Sequence, residues 1–185
     1  MTHIILTGAP GAGKTVVLRQ LEVMGHAVVE EAATDVIALA QAKGITEPHR
    51  DPSFIDAIVT LQERRRRAAA AADGTIFHDR SPICCLALAQ HLGFPVSAVL
   101  AEALRAIAAE RFYARRVIFI RNLGYIVNTE ARRISFADTL RFEKVHEDVY
   151  RGLGYDLVYI EPADVEERAR RILEPDGFGR NRSKG

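Results

Sequence analysis

A run of eight residues near the start of the chain carries the clearest chemical signal in the sequence. Residues 8–15, with the letters GAPGAGKT, match the pattern G-x-x-x-x-G-K-[ST] at every fixed position. An apolar stretch from His3 to Thr7 precedes them and another follows, which predicts a strand, a loop and a helix in that order. Glycines allow the backbone to curl until successive N–H groups point toward one anion. The pattern therefore predicts a phosphate-binding loop and not an ordinary glycine-rich turn.

The side chains at the end of this loop are suited to bind the phosphates and the metal ion of a nucleoside triphosphate. The Lys14 ammonium is expected between the β- and γ-phosphates, and the Thr15 hydroxyl is expected to ligate Mg²⁺. The positive end of the following helix would add to the attraction for phosphate. The sequence therefore predicts ATP as the cofactor, with GTP as an alternative, together with Mg²⁺. The residues expected to contact the nucleotide are Gly8, Ala9, Pro10, Gly11, Ala12, Gly13, Lys14, Thr15 and Val16.

A second acidic position is expected to complete the shell of the metal. Asp79 follows an apolar run that predicts a strand, which is where such proteins place this carboxylate, although Asp79 could instead cap the helix that begins near Pro82. Arg80 comes next, where hydrolases of the AAA type commonly carry a glutamate that activates water. A guanidinium cannot take a proton, but it can contact phosphate oxygens. The pair therefore favours a phosphotransferase over a hydrolase.

Two adjacent glutamates are candidates for handling the group that accepts phosphate. Glu30 and Glu31 follow the predicted strand 27–29, and a carboxylate at this place can orient a hydroxyl group or take its proton. The alternation of side chains does not decide which glutamate points inward, and we assign the role to Glu31. Both could instead be solvated charges that favour the helix dipole.

A run of four arginines, 64–67, lies in a predicted helix that Ser53 would cap and that would continue to Ala72. Such a run is usually a solvated helix face. Gln62 and Arg66 nevertheless follow apolar positions of the same helix at helical spacing. The sequence therefore leaves open whether these two side chains line a groove or face the solvent.

The stretch 121–134 has no sustained periodicity and contains several charged residues. Arg132 and Arg133 lie in it, together with Arg121 and Glu130. A lid that closes over the γ-phosphate, excludes water and stabilises the transferred charge needs paired arginines of this kind. We expect a lid here, the alternative being a basic surface loop.

Helical patterns alternate with short apolar runs along the rest of the chain. The runs that predict strands are 3–7, 27–29, 75–78, 117–120 and 157–160. This order predicts an α/β fold with a parallel sheet covered on both faces, in one domain over residues 1–173 with a flexible tail at 174–185. Ligands of such sheets bind at the carboxyl ends of the strands. Four candidate residues follow predicted strands there, namely Gly8, Glu31, Asp79 and Arg121.

Composition gives little reason to expect nucleic acid or a membrane as the partner. The 185 residues carry a formal net charge of +1, and no stretch predicts a signal peptide or a membrane span. Cys84 and Cys85 are adjacent, which makes a bridge between them improbable and favours a reduced, cytoplasmic protein.

Several motifs in combination resemble those of the NadR-like P-loop family, which is also catalogued as AAA-domain ATPases or predicted kinases. They are the phosphate-binding loop, Glu31-Ala32-Ala33, Asp79-Arg80-Ser81-Pro82, and the later runs 128–133 and 140–143 with Tyr150 and Gly154-Tyr155. The resemblance extends to about Leu173. It implies a kinase-type fold with a five-stranded parallel sheet in the order 2-3-1-4-5.

The same resemblance implies an activity. Members near the ribosylnicotinamide kinase domain phosphorylate a nucleoside-like hydroxyl, so the expected partners are a nucleotide and a small hydroxyl-bearing acceptor. In that reaction Lys14, Thr15 and Asp79 would hold Mg·ATP, Glu31 would handle the acceptor, and Arg80, Arg132 and Arg133 would stabilise the transferred charge. The alternative is a nucleotide-binding regulatory protein or a slow ATPase or GTPase.

Overall fold

The centre of the fold is a five-stranded parallel sheet, seen in a computed structural model that describes residues 1–8, 10–71, 73–122 and 136–174. The strands are β1 (Thr2–Thr7), β2 (Ala27–Val29), β3 (Thr75–Asp79), β4 (Tyr113–Ile120) and β5 (Asp156–Ile160). Their order is β2-β3-β1-β4-β5, and every neighbouring pair is parallel. The predicted fold class and strand order are therefore confirmed.

Helices cover both faces of this sheet. They are α1 (Lys14–Val23), α2 (Ala33–Ala42), α3 (Ser53–Ala69), α4 (Pro82–Leu92), α5 (Ala98–Glu110), α6 (Phe136–Gly152) and α7 (Val165–Leu173). Neighbouring side chains of a strand point to opposite faces, so Leu6 packs in the core with α1 and α7 while Ile5 packs with α4 and α6. A third apolar cluster joins α3 to α4 and α5. None of the helices in the described ranges has the length and apolar character that a membrane span requires.

Several predicted boundaries differ from the structure, and helix α3 ends at Ala69 and not at Ala72. Strand β4 begins at Tyr113 and not at Val117, because Arg115 and Arg116 interrupt the apolar run although the backbone continues to pair with β1 and β5. Ser53 is not a cap but the first residue of α3, and its N–H donates to the Asp51 carboxylate at 2.8 Å. The predicted tail, apart from Glu174, and residues 123–134 of the predicted lid lie outside the described residues.

A pair of buried histidines joins β1 to β3. The His3 Nδ1 and His78 Nε2 atoms are 2.9 Å apart and share one hydrogen bond, so one ring donates and the other accepts. The His3 ring also stacks on Phe112, with centroids 4.0 Å apart. Burial, followed by the proximity of His3, lowers the pKa of His78 to about 3, and burial also lowers the pKa of His3. Both rings are therefore neutral in the folded protein near neutral pH.

We expect the free energy of unfolding to fall as the pH decreases from about 6.5 toward 3. Unfolded histidine takes a proton below about pH 6.5, whereas folded His78 stays neutral until its own lower pKa is reached. A histidine of this kind contributes a slope of up to about 1.4 kcal/mol per pH unit. Urea unfolding at several pH values measures the slope, and His78→Phe should make it shallower.

The exposed His49 provides the matched control for this experiment. His49→Gln should leave the pH dependence of unfolding as in the wild type. A slope in His78→Phe equal to that of the wild type would contradict the assignment.

Candidate active site

The loop between β1 and α1 has a backbone shaped by its glycines. Gly8, Gly11 and Gly13 have positive φ angles of 130°, 78° and 80°. Gly13 is the N-cap of α1, and no side chain of the described residues caps this end of the helix. The N–H groups and the positive dipole end of α1 are thus presented at the loop, as an anion site requires.

The other predicted contacts of this loop differ in exposure. Ala12 is fully buried, whereas Val16, on the first turn of α1, is 55% exposed. Pro10 borders a cavity next to the loop. Ala9 lies outside the described residues.

Thr15 and Asp79 meet beside this loop. The Thr15 hydroxyl donates to Asp79 Oδ2 at 2.9 Å, and Asp79 Oδ1 is buried with no hydrogen-bond partner among the described residues. Burial raises the pKa of the Asp79 carboxyl, and the charge of the buried Lys14 partly opposes this effect. A carboxylate oxygen without a partner, next to a hydroxyl, is a donor set that suits Mg²⁺. The residues present therefore fit the predicted metal.

Asp79 is not a helix cap. It is the last residue of β3, whereas the N-cap of α4 is Ser81, whose side chain caps no backbone N–H. The Ser81 hydroxyl instead forms a hydrogen bond of 3.0 Å with the hydroxyl of Tyr150. The carboxylate of Asp79 thus lies at the carboxyl end of the strand next to β1.

Of the two adjacent glutamates, Glu31 points inward and Glu30 points outward. Glu31 is 8% exposed, and its two carboxylate oxygens accept hydrogen bonds from Arg80 Nε at 2.7 Å and from Thr34 Oγ1 at 2.6 Å. Glu30 is exposed and pairs with Arg19. The carboxylate of Glu31 is thus fixed in one orientation by hydrogen bonds to both of its oxygens.

Arg80 is held by partners on two sides. Its backbone has a φ of 73°, a left-handed conformation that costs a non-glycine residue about 1–2 kcal/mol. Its Nη1 lies 3.4 Å from Nε2 of His146, whose Nδ1 is 2.9 Å from the carbonyl oxygen of Phe142. The His146 ring therefore donates to this carbonyl through Nδ1 and accepts from Arg80 through Nε2. Sequence reasoning missed His146, which lies 66 residues further along the chain.

The charge states of Arg80 and His146 follow from their burial and from their contacts. Burial lowers the pKa of His146 to about 3, and the charge of Arg80 acts in the same direction. Burial by itself would lower the pKa of the Arg80 guanidinium, but Glu31, Cys84 and Asp79 act together in the opposite direction and leave that pKa raised. Arg80 thus carries its charge against Glu31, with a neutral His146 on its other side.

A cavity of about 340 Å³ opens next to the phosphate-binding loop. Pro10, Glu31 and Arg80 line it at the loop end. Most of the remaining wall is apolar and comes from α2, α3, α4 and α6, with His49, His91 and Asp138 among its polar members. Gln62 also lines it, whereas Arg66 does not, because Arg66 forms ion pairs with Glu63 and Glu110. The groove considered for both side chains therefore contains only Gln62.

Of the residues considered for a lid, the structure describes Arg121. Its Nη1 donates to Glu143 Oε1 at 2.7 Å and to Glu147 Oε1 at 2.8 Å. Its guanidinium also lies over the Tyr159 ring, 4.1 Å from the centroid. Arg121 thus joins the end of β4 to α6 and β5. Glu130, Arg132 and Arg133 lie outside the described residues and stay predictions.

Sequence reasoning also missed a buried arginine of α7 that contacts the phosphate-binding loop. Arg168 of α7 is 2% exposed, and its Nη2 donates to the carbonyl oxygen of Ala12 at 2.7 Å. Its Nη1 would lie 3.0 Å from a Cβ added at Gly13. Burial lowers the pKa of Arg168. Arg168 follows Val165 and precedes Ile172 at helical spacing, a signal that places it on the apolar face of α7 but does not identify the loop carbonyl as its partner.

Comparison with known proteins gives a family and a set of similar structures. A family model described as an AAA domain matches residues 3–168. A search of curated protein sequences found no match. Deoxyadenosine kinase from M. mycoides, solved with its products dCMP and a flexible dCDP, has a TM-score of 0.60 at 14% identity and covers 92% of this chain and 96% of its own.

Two further solved structures have the same fold. Deoxyadenosine kinase from M. mycoides with bound dATP has a TM-score of 0.58 at 15% identity, covering 92% of this chain and 97% of its own. Shikimate kinase from Acinetobacter baumannii in complex with shikimate has a TM-score of 0.56 at 16% identity, covering 94% and 91%. At these identities the similarity shows the fold alone.

Gly8→Ala is expected to destabilise the fold through a specific steric contact. An added Cβ would lie 2.2 Å from the carbonyl oxygen of Ile120, in addition to the strain at a φ of 130°. Gly25→Ala is the matched control, because its φ is 94° and no described atom lies within 4 Å of the added Cβ. Urea unfolding should show a loss about 1–3 kcal/mol larger for Gly8→Ala than for Gly25→Ala. Equal losses would show that this close approach does not constrain the loop.

Proposed function

We propose that this chain, which belongs to the P-loop family described as an AAA domain, is a phosphotransferase using Mg·ATP. The acceptor would be a small hydroxyl-bearing metabolite, with nucleosides among the candidates. The observation that carries this proposal is the position of the Glu31–Arg80 pair. Both residues line the same cavity as Pro10 of the phosphate-binding loop, so an acceptor in the cavity would lie between a carboxylate and the nucleotide.

The phosphate-binding loop would hold the nucleotide. The N–H groups at the start of α1 and the Lys14 ammonium would contact the phosphates, and Arg168 would keep the loop in shape through Ala12. Thr15 and Asp79 would hold Mg²⁺, which when bound neutralises phosphate charge. These groups serve binding of the nucleotide and are shared by kinases and hydrolases.

Glu31 would make the reaction specific for an alcohol. An acceptor hydroxyl near its carboxylate would be oriented toward the γ-phosphorus, and the proton would pass to the carboxylate as the oxygen–phosphorus bond forms. The bond from the γ-phosphorus to the bridging oxygen breaks in the same exchange, and ADP leaves. Arg80 would keep Glu31 oriented, since its Nε donates to the carboxylate at 2.7 Å.

Arg80 was expected to stabilise transferred charge directly, and that role stays a proposal. In the structure Arg80 donates to Glu31 and lies near His146. The same guanidinium lines the cavity together with Pro10 of the loop, so its positive charge would be near a phosphoryl group transferred from a nucleotide bound there. Orientation of Glu31 is the role that its contacts support best.

Mg·ATP or Mg·GTP should stabilise the protein against heat. A ligand present at about 100 times its dissociation constant adds roughly 2.7 kcal/mol to the free energy of unfolding. Melting curves with and without each nucleotide measure the effect, and Lys14→Ala should remove most of it because the loop then lacks its ammonium. The absence of a shift with either nucleotide at millimolar concentration would refute nucleotide binding.

Glu31→Gln should reduce acceptor-dependent release of ADP by about 10²–10⁴-fold, because an amide cannot take the proton of the hydroxyl. The assay supplies Mg·ATP with a panel of nucleosides, sugars and aminoglycoside-like alcohols and records the initial rate of ADP release. Glu30→Gln is the matched control, since the neighbouring side chain is exposed and points away. It should keep the wild-type rate.

Two results would count against the phosphotransferase. One is rapid hydrolysis of ATP by the wild-type protein without any acceptor and without a further increase when acceptors are added. The other is equal activity of the Glu31→Gln and Glu30→Gln variants. Either would favour a nucleotide-hydrolysing or regulatory protein.

A further inference from the structure

One buried amide side chain lines the cavity, and the surrounding residues use only part of its hydrogen-bonding capacity. Gln62 is 8% exposed and lines the cavity. The Cys85 thiol donates to its Oε1 at 3.4 Å, and this is the one hydrogen bond recorded for Gln62 within the described residues. Since the thiol occupies the amide oxygen, the NH₂ group of Gln62 is the part that can donate to a bound molecule. A ligand that accepts from this group gains affinity, because a ligand that does not would bury the donor without a partner.

The walls around this amide are apolar. Phe54 and Ile58 come from the same helix as Gln62, Leu88 comes from α4, and Phe142 comes from α6. A charged group placed against these side chains would lose its hydration without compensation. Aromatic walls favour contact with a ring. The shape and chemistry of the cavity therefore suit an uncharged body that contains a ring.

The two charged residues that line the cavity at its loop end, Arg80 and Glu31, form an ion pair with each other. Arg80 donates to Glu31, and the two side chains are 9% and 7% exposed. An anionic acceptor would have to compete with the Glu31 carboxylate for Arg80, and it would also be repelled by that carboxylate. A neutral hydroxyl can instead donate to Glu31 while the ion pair stays intact.

We propose that the acceptor is an uncharged alcohol whose apolar ring carries a carbonyl group or a ring nitrogen that accepts a hydrogen bond from Gln62. This inference rests on the proposed phosphotransfer and specifies its substrate class. The hydroxyl lies at Glu31, the ring lies between the apolar walls, and its accepting atom faces α3. A cavity of about 340 Å³ is within the range for one small molecule. Gln62 is thus the residue that selects among ring systems, and carboxylated or phosphorylated alcohols are excluded.

The test compares acceptors that differ in one property. The full chain with Mg·ATP is given a neutral nucleoside, the phenyl C-riboside that has the same sugar but no ring heteroatom, and shikimate as an anionic alcohol. Values of kcat/KM are obtained from ADP release. We expect the nucleoside to exceed the phenyl analogue by at least about tenfold, which is the effect of one hydrogen bond of about 1.4 kcal/mol. Shikimate should give no acceptor-dependent rate.

The variant Gln62→Met tests the residue itself. It keeps the length of the side chain and removes the donor, so it should lower kcat/KM for the nucleoside by about tenfold or more and leave the phenyl analogue unchanged. Gln90→Met, at an exposed position of α4, is the matched control and should behave as the wild type in both cases. Melting temperatures in the absence of ligand report whether each variant is folded.

The outcomes separate this inference from the function on which it rests. If shikimate is phosphorylated and neutral alcohols are not, or if Gln62→Met keeps the preference for the nucleoside, the inference is overturned and the phosphotransferase stands. If no alcohol promotes ADP release although Mg·ATP binds, the proposed function fails as well. The comparison of the three acceptors uses the wild-type protein alone, so it decides the substrate class even if Gln62→Met does not fold.

Discussion

The buried ion pair between Glu31 and Arg80 is the interaction on which the arrangement of the site depends. It joins the second residue after β2 to the residue that follows β3, and both side chains line the cavity together with Pro10 of the phosphate-binding loop. Two buried charges cost free energy to desolvate, and the left-handed backbone of Arg80 adds about 1–2 kcal/mol. Thr34 and His146 complete the hydrogen bonds of the pair and so make the burial tolerable. The result is a carboxylate whose position is fixed before any acceptor arrives.

The rest of the fold brings the parts of the site to this pair. The parallel sheet places the carboxyl ends of β1, β2 and β3 side by side, so the loop, Glu31 and Asp79 converge. Helix α6 provides His146, which contacts Arg80, and α7 provides Arg168, which donates to the carbonyl oxygen of Ala12 in the loop. Apolar walls from α3 and α4 then define what can occupy the remaining space. The arrangement of the site thus depends on helices that contribute few polar groups of their own.

Short motifs predicted the phosphate-binding loop and the positions of Asp79 and Arg80 at the end of β3, whereas the strand order was implied by the family resemblance. The sequence could not choose between Glu30 and Glu31, since β2 ends at Val29 and alternation no longer applies beyond the strand. It did not identify His146 or Arg168, because their contacts depend on how distant helices pack. Gln62 and Arg66 share one helix face at helical spacing, and only the ion pairs of Arg66 with Glu63 and Glu110 separate their surroundings.

A double-mutant cycle on the ion pair tests most directly whether Glu31 and Arg80 act as one unit on the acceptor. The rates to measure are acceptor-dependent kcat/KM for the wild type, Glu31→Gln, Arg80→Gln and the double variant, with Mg·ATP affinity measured alongside. We expect each single variant to lose most of the rate, the double variant to lose little more, and the Mg·ATP affinity to change little. Losses that multiply in the double variant, or a parallel loss of Mg·ATP affinity, would contradict this expectation.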